Sequence, residues 1–150
     1  MGIILKTNGG FIISKIKQIQ GRIFGKLLVE SGIDQFNGAQ GRILFVLWND
    51  DNISISELSE KTGLAKTTLT NMLDRMESSC FIKREYDLSD RRKVNIRLTE
   101  TAFKMKSQYD EVSARMNEIF YEGFSDNDIV EFEKFLAQIL KNLTKKENEK

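Results

Sequence analysis

Residues 54–98 read SISELSEKTGLAKTTLTNMLDRMESSCFIKREYDLSDRRKVNIRL, and the order of patterns inside this stretch decides the fold. Ser54 followed three residues later by Glu57 predicts a capping box, in which the serine oxygen takes one orphan amide and the glutamate reaches back to another. The helix it opens stops at Gly63. Apolar periodicity resumes with Leu69, Met72, Leu73 and Met76, which predicts a second helix ending near Ser79. Two short helices about a glycine-containing turn have the dimensions of a helix-turn-helix, with Leu58, Leu64, Leu69 and Met72 as its internal core. From Phe81 the period changes: Phe81 to Tyr86 and Val94 to Leu98 alternate in period two around the polar stretch Asp87 to Lys93. That predicts a β-hairpin with a charged tip. Helix, helix, strand, strand is the order of a winged helix-turn-helix.

The flanks are helical. Ile12, Ile16, Ile19, Ile23 and Leu27 recur at helical spacing with Lys15, Lys17, Arg22 and Lys26 between them, an amphipathic helix over 11–31 with a basic outer face. A second helix is expected from about Phe36 to Asn49, ended by Asp50-Asp51-Asn52. Beyond the hairpin, Thr99 caps a long helix whose apolar positions Leu98, Ala102, Met105, Tyr109, Val112, Met116 and Ile119 keep a heptad seam. Ser125 with Asp128 opens the last helix, where Ile129, Phe132, Leu136, Ile139 and Leu143 repeat that rhythm. Apolar stripes on both terminal helices predict a homodimer through Ile12, Ile16, Ile19, Tyr109, Val112, Met116, Phe132, Leu136, Ile139 and Leu143, set against an intramolecular core for the heptad on 98–119. The expectation is one domain over 1–150, mainly α with a small β-hairpin wing. It has a winged module at 36–98 and dimerisation helices at 1–35 and 99–150.

Composition removes whole classes of chemistry. The 150 residues include no His and one Cys, which excludes an internal disulfide and Ser-His-Asp, Cys-His and His-metal sites. No nucleophile–base pair stands out, so an enzyme is not expected, nor a cofactor or a metal. The longest apolar run, Ile43 to Trp48, is six residues, against the roughly 20 a membrane helix requires. The N-terminus lacks a secretory signal and puts Lys6 where N-myristoylation wants Ser or Thr, so a cytoplasmic location without membrane attachment is expected. The 23 Lys and Arg nearly cancel 22 Asp and Glu, but the charges are sorted along the chain. Residues 1–60 sum to 0, residues 61–97 to +4 and residues 98–150 to −3. A polyanion would be met by the middle segment and repelled by the last.

On winged-helix geometry, Lys66, Thr67, Thr68, Thr70, Asn71 and Arg75 of the second short helix would face a major groove. Asn pairs well with adenine, and Lys and Thr reach bases or phosphates. At the hairpin tip Arg91, Arg92 and Lys93 concentrate the charge, and an arginine there suits a narrow minor groove.

Asp90-Arg91-Arg92, followed by Leu98-Thr99, resembles the D-x-R then L-T signature of the wing in the MarR (multiple antibiotic resistance regulator) family. The resemblance extends to Glu57-Leu58-Ser59 with Thr62-Gly63-Leu64, to Thr67 through Asp74, and to the helix order on both sides. It implies a transcriptional regulator that binds a palindromic operator in double-stranded DNA as an obligate homodimer, more in the manner of a repressor, often with a small aromatic effector. It also implies that Arg92 reaches the minor groove while Asp90 orients it. Three positions depart from the family pattern: Ala102 and Cys80 stand where glycines are usual, and Ala65 where Ser or Thr would cap the recognition helix. Phe11, Phe24, Phe36, Phe45 and Trp48 are candidates to line an effector pocket or to be core. Two other readings follow from the residues: a redox-responsive regulator acting through Cys80, set against a packed thiol there, and a winged-helix protein-interaction module that binds no DNA.

Overall fold

The computed structural model describes residues 5–36, 38–90 and 92–149. Helix α1 runs Gly9–Glu30, a 3-10 turn occupies Asp34–Phe36, and α2 runs Gly38–Asn49. The two-residue strand β1 (Ile53–Ser54) leads directly into α3 (Ile55–Thr62), followed by α4 (Lys66–Ser78). Strands β2 (Ile82–Tyr86) and β3 (Val94–Leu98) precede α5 (Glu100–Lys104), α6 (Lys106–Phe120) and α7 (Asp126–Glu147). The sheet is antiparallel in the order β1-β3-β2, with Ile82 opposite Leu98 and Tyr86 opposite Val94. The winged helix-turn-helix is therefore present as read, and β1 is an addition. Its two residues are too few to show a period, but they pair Ile53 with Ile96 and Ser54 with Asn95.

The chain groups into one unit up to Ala114 and a second from Arg115. In the first, Leu28, Ile33, Phe36, Ile43, Leu44, Leu47, Leu58, Leu69, Leu73, Met76, Ile82 and Ile96 are fully buried. Each such side chain contributes about 1.5–3 kcal/mol relative to exposure. Phe36 meets Phe81 edge-on at 4.7 Å, joining the 3-10 turn to the start of the wing. Trp48 Nε1 donates to the Ala102 carbonyl at 3.1 Å, fastening α2 to α5. Gly41 is required by close approach: a Cβ there would lie 2.8 Å from both the Phe36 carbonyl oxygen and the Tyr109 hydroxyl. In the second unit Tyr121 donates to Glu133 at 2.6 Å and its ring packs against Phe124 and Phe132. That hydrogen bond to a carboxylate pushes the Tyr121 phenol up to about 12.

Helix starts follow the sequence signals with one difference. Ser54 Oγ accepts from the Glu57 amide at 3.1 Å, but only this half of the predicted box forms. The reciprocal pair is complete at Ser125 and Asp128 instead. Gly63 ends α3 in the left-handed region at φ 74°, with its amide on the Ser59 carbonyl.

Three expectations about the flanking helices change. Phe36 lies in the 3-10 turn and not in α2, which begins only at Gly38, whose left-handed φ of 55° does not continue the turn. The helix predicted from Thr99 through Ile119 is broken at Met105, whose amide turns back to the Ala102 carbonyl. Most consequentially, Tyr109, Val112 and Met116 are buried in a single chain. Tyr109 packs against Phe24 at 5.7 Å and Trp48 at 4.9 Å, so the heptad on α6 serves the chain's own core there and not a partner's.

Cys80, where the resemblance expects glycine, has φ 65°. The left-handed region costs an L-residue roughly 1–2 kcal/mol, part of which glycine returns through its greater freedom in the unfolded chain. Cys80→Gly is therefore expected to raise the melting temperature by about 2 °C, and Cys80→Val, with its branched Cβ, to lower it. The Thr99 hydroxyl donates to the Cys80 carbonyl, a backbone contact that both variants retain. Thermal unfolding of the three proteins checks this, and a lower melting point for Cys80→Gly would refute it.

Candidate nucleic-acid interface

Helix α4 turns Leu69, Leu73 and Met76 inward and leaves Lys66, Thr67, Thr68, Thr70, Asn71 and Arg75 exposed. The whole set expected from the sequence is thus accessible on one element. Thr70 Oγ1 donates to the Lys66 carbonyl at 2.8 Å, which commits its proton to the helix and leaves its lone pairs outward. Ala65 sits at the N-cap in extended geometry and gives no side-chain acceptor, so the first amides of α4 carry their partial positive charge uncapped beside Lys66. The helix is seated from below by α3. Ser59 Oγ donates to the Leu64 carbonyl at 2.6 Å, and Thr62 Oγ1 accepts from the Leu64 amide at 3.2 Å while donating to the Leu58 carbonyl at 2.6 Å. Small hydroxyl residues therefore fix the turn that aims α4.

The wing tip is organised by two aspartates. Asp87 accepts from the Ser89 amide and hydroxyl, and these bonds hold its carboxyl below the usual carboxylate range. Asp90 accepts from the Arg92 amide at 3.0 Å and from Arg92 Nε at 3.3 Å. The Arg92 side chain is 92% exposed, so its guanidinium is tethered at the Nε edge and projects into solvent. Lys93 is exposed too; Arg91, the third cation of the tip, lies outside the described residues. On the outer strand face Arg97 pairs with Glu85. Among the described residues, Lys66, Arg75, Lys83 and Lys93 form no ion pair, which leaves their charge available to a polyanion.

Reading by sequence missed Arg84. Its guanidinium donates to Asp74 Oδ1 at 2.7 Å and Glu77 Oε1 at 2.8 Å, linking β2 to α4. The signal was present as two acids spaced three apart on α4, with an arginine at an inward-facing position of an alternating strand.

The five candidate aromatics do not form one pocket. Among the described residues, Phe36 is fully buried against Phe81, Phe11 and Phe45 are exposed without a ring partner, and of the five only Phe24 and Trp48 converge, on Tyr109. Helical spacing placed them on different faces of different elements. An open groove of about 510 Å3 lies instead along α1, lined by Arg22, Gly25, Lys26, Val29, Glu30 and Asp34. Cys80 is exposed.

A family model described as the MarR family matches residues 36–94. The chain is 33% identical over 98 residues to the HTH-type transcriptional regulator YfiV of Bacillus subtilis (strain 168), covering 57% of this chain and 61% of that protein. It is 30% identical over 106 residues to the HTH-type transcriptional regulator SarZ of Staphylococcus aureus (strain MRSA252), covering 69% of this chain and 72% of that protein. The chain belongs to the MarR family. Its fold matches a crystal structure of a MarR mutant from E. coli complexed with operator DNA, with a TM-score of 0.77 at 23% identity over 87% of this chain and 92% of that one. Named relatives of this MarR-family chain are transcriptional regulators and not enzymes. No described helix is long and apolar enough to cross a membrane.

Proposed function

We propose that this MarR-family chain is a sequence-specific DNA-binding transcriptional repressor of the cytoplasm, which holds a palindromic operator as a homodimer and is released by a small-molecule effector. The observation that carries the reading is the pairing of an exposed polar α4 with a wing whose Arg92 is held by Asp90 and projects into solvent. Such a module offers one element to a major groove and one to the adjoining minor groove. That a structural neighbour was crystallised on operator DNA supports the same docking.

The dimer is supported by α7, a 22-residue helix with no buried residue and with Phe135, Leu140 and Leu143 each more than 60% exposed. Ile12, Ile16 and Ile19 on α1 are exposed as well. Apolar surface of that extent marks a protein interface. Two modules one helical turn apart, roughly 34–36 Å, would read two half-sites. An effector that altered that spacing would cost several contacts at once. The groove along α1 is of a size that takes a small ligand.

A gel-shift titration against the upstream region of the protein's own gene is the direct test. A salt-sensitive complex is expected, its log affinity falling linearly with log salt concentration. Absence of any complex in low salt would refute the reading and favour a winged module that holds another protein.

A further inference from the structure

Arg84 stands mid-way along β2, opposite Ile96 of β3 and on the inward strand face that buries Ile82. Nη1 donates to Glu77 Oε1 and Nη2 to Asp74 Oδ1, and the Arg84 amide reaches Glu77 Oε2 at 3.3 Å. Three hydrogen bonds from one strand residue thus tie the wing to one face of the recognition helix, since residues three apart on a helix are neighbours. The Arg84 side chain is only 19% exposed, whereas Arg92 at the tip is almost fully exposed. The two arginines are built for different work: one is spread over carboxylates of its own chain, the other reaches outward. The acids themselves are informative. Two carboxylates on a helix that approaches phosphates repel the ligand unless they do something else there.

We infer that Arg84 is a positioning residue for DNA recognition, fixing the wing relative to α4 through Asp74 and Glu77 without touching nucleic acid. A planar fork engaged at both terminal nitrogens sets an angle as well as a distance, which a lysine does not. The inference rests on the DNA-binding reading above, and it makes a prediction opposite in sign to simple charge counting. Removing negative charge from a DNA-facing helix ordinarily tightens binding; here Asp74→Asn with Glu77→Gln must weaken it.

The experiment is a salt titration of operator binding with two footprints, hydroxyl radical for the minor groove and dimethyl sulfate at guanine N7 for the major groove, run on the parent, Arg84→Gln and the Asp74→Asn/Glu77→Gln pair well below their melting temperatures. Both variants are expected to bind about tenfold more weakly with the parent's salt slope. Both are also expected to lose protection of the minor groove flanking each half-site while retaining major-groove protection. A merely stabilising clamp would leave the footprint of the bound state unchanged, and that result overturns the inference. So does a salt slope lowered by about 0.9 in Arg84→Gln, the mark of a lost phosphate contact, or an acid-pair variant that binds as well as the parent or better. If Arg84→Gln does not fold, the acid-pair variant decides alone. A parent that binds no DNA in low salt removes the DNA-binding reading and this inference together, whereas a binding parent with unaffected variants removes only this one.

Discussion

Replacing Ile139 and Leu143 by glutamate is expected to convert the protein from dimer to monomer and to weaken operator binding by at least a hundredfold, the scale of avidity lost when two sites are no longer linked. Both side chains are exposed in the single chain, at 41% and 63%, so the substitutions remove little internal packing. They do place two charges in the apolar stripe of α7. Light scattering coupled to size exclusion reads the oligomeric state, circular dichroism confirms that the helices persist, and a gel shift reads the affinity. A variant that remains dimeric would show that α7 is covered by something other than a second copy. Tyr109→Ala is the useful contrast. Tyr109 belongs to the internal cluster with Phe24 and Trp48, so its loss should cost about 3 kcal/mol of stability, the scale of an emptied aromatic site, without releasing a monomer.

The second large effect is at the wing. Arg92→Ala is expected to weaken binding about tenfold or more across all sequences and to reduce the salt slope by about one, because an exposed guanidinium that contacts phosphate or the minor groove displaces counterions. Asp90→Ala keeps that charge but removes both acceptor contacts to Arg92. It should therefore weaken binding while preserving the slope. Asn71→Ala, on the exposed side of α4, should instead change which bases are preferred. Competition between operators with single base changes separates the cases. Equal losses on every operator for Asn71→Ala would mean that Asn71 does not read bases.

How far the sequence reached depends on the range of the interaction concerned. Local signals were faithful: the alternation of 82–86 and 94–98, the left-handed stop at Gly63 and the serine caps at Ser54 and Ser125 are each settled within a few residues. Pairings between distant elements were not legible. Tyr109 satisfies a heptad whether its neighbour is another chain or, as here, Phe24 and Trp48, because periodicity records that a face is covered and not by what. The same ambiguity scattered the aromatic set: Phe45 and Trp48 share a helix, yet one is exposed and the other joins the core. Strand β1 escaped because two residues have no period, and Arg84 because an arginine in a strand usually reads as a surface residue. At the candidate interface, the residues of α4 and the Asp90–Arg92 pair were within reach; the brace behind them was visible only once α4 and β2 lay side by side.

Strand β1 carries a consequence for regulation. Ser54 is at once the last residue of β1, hydrogen-bonded into the sheet beside Asn95, and the cap of α3. Asp51 accepts from the Leu98 amide at 2.9 Å, and the Thr99 amide returns to the Phe81 carbonyl at 3.1 Å. The base of the wing is therefore pinned to the entrance of α3 on one side and, through Arg84, to α4 on the other. On the proposed function, an effector that frees the protein from its operator would swing each braced module whole, like a door on its frame, and would act from outside residues 53–99.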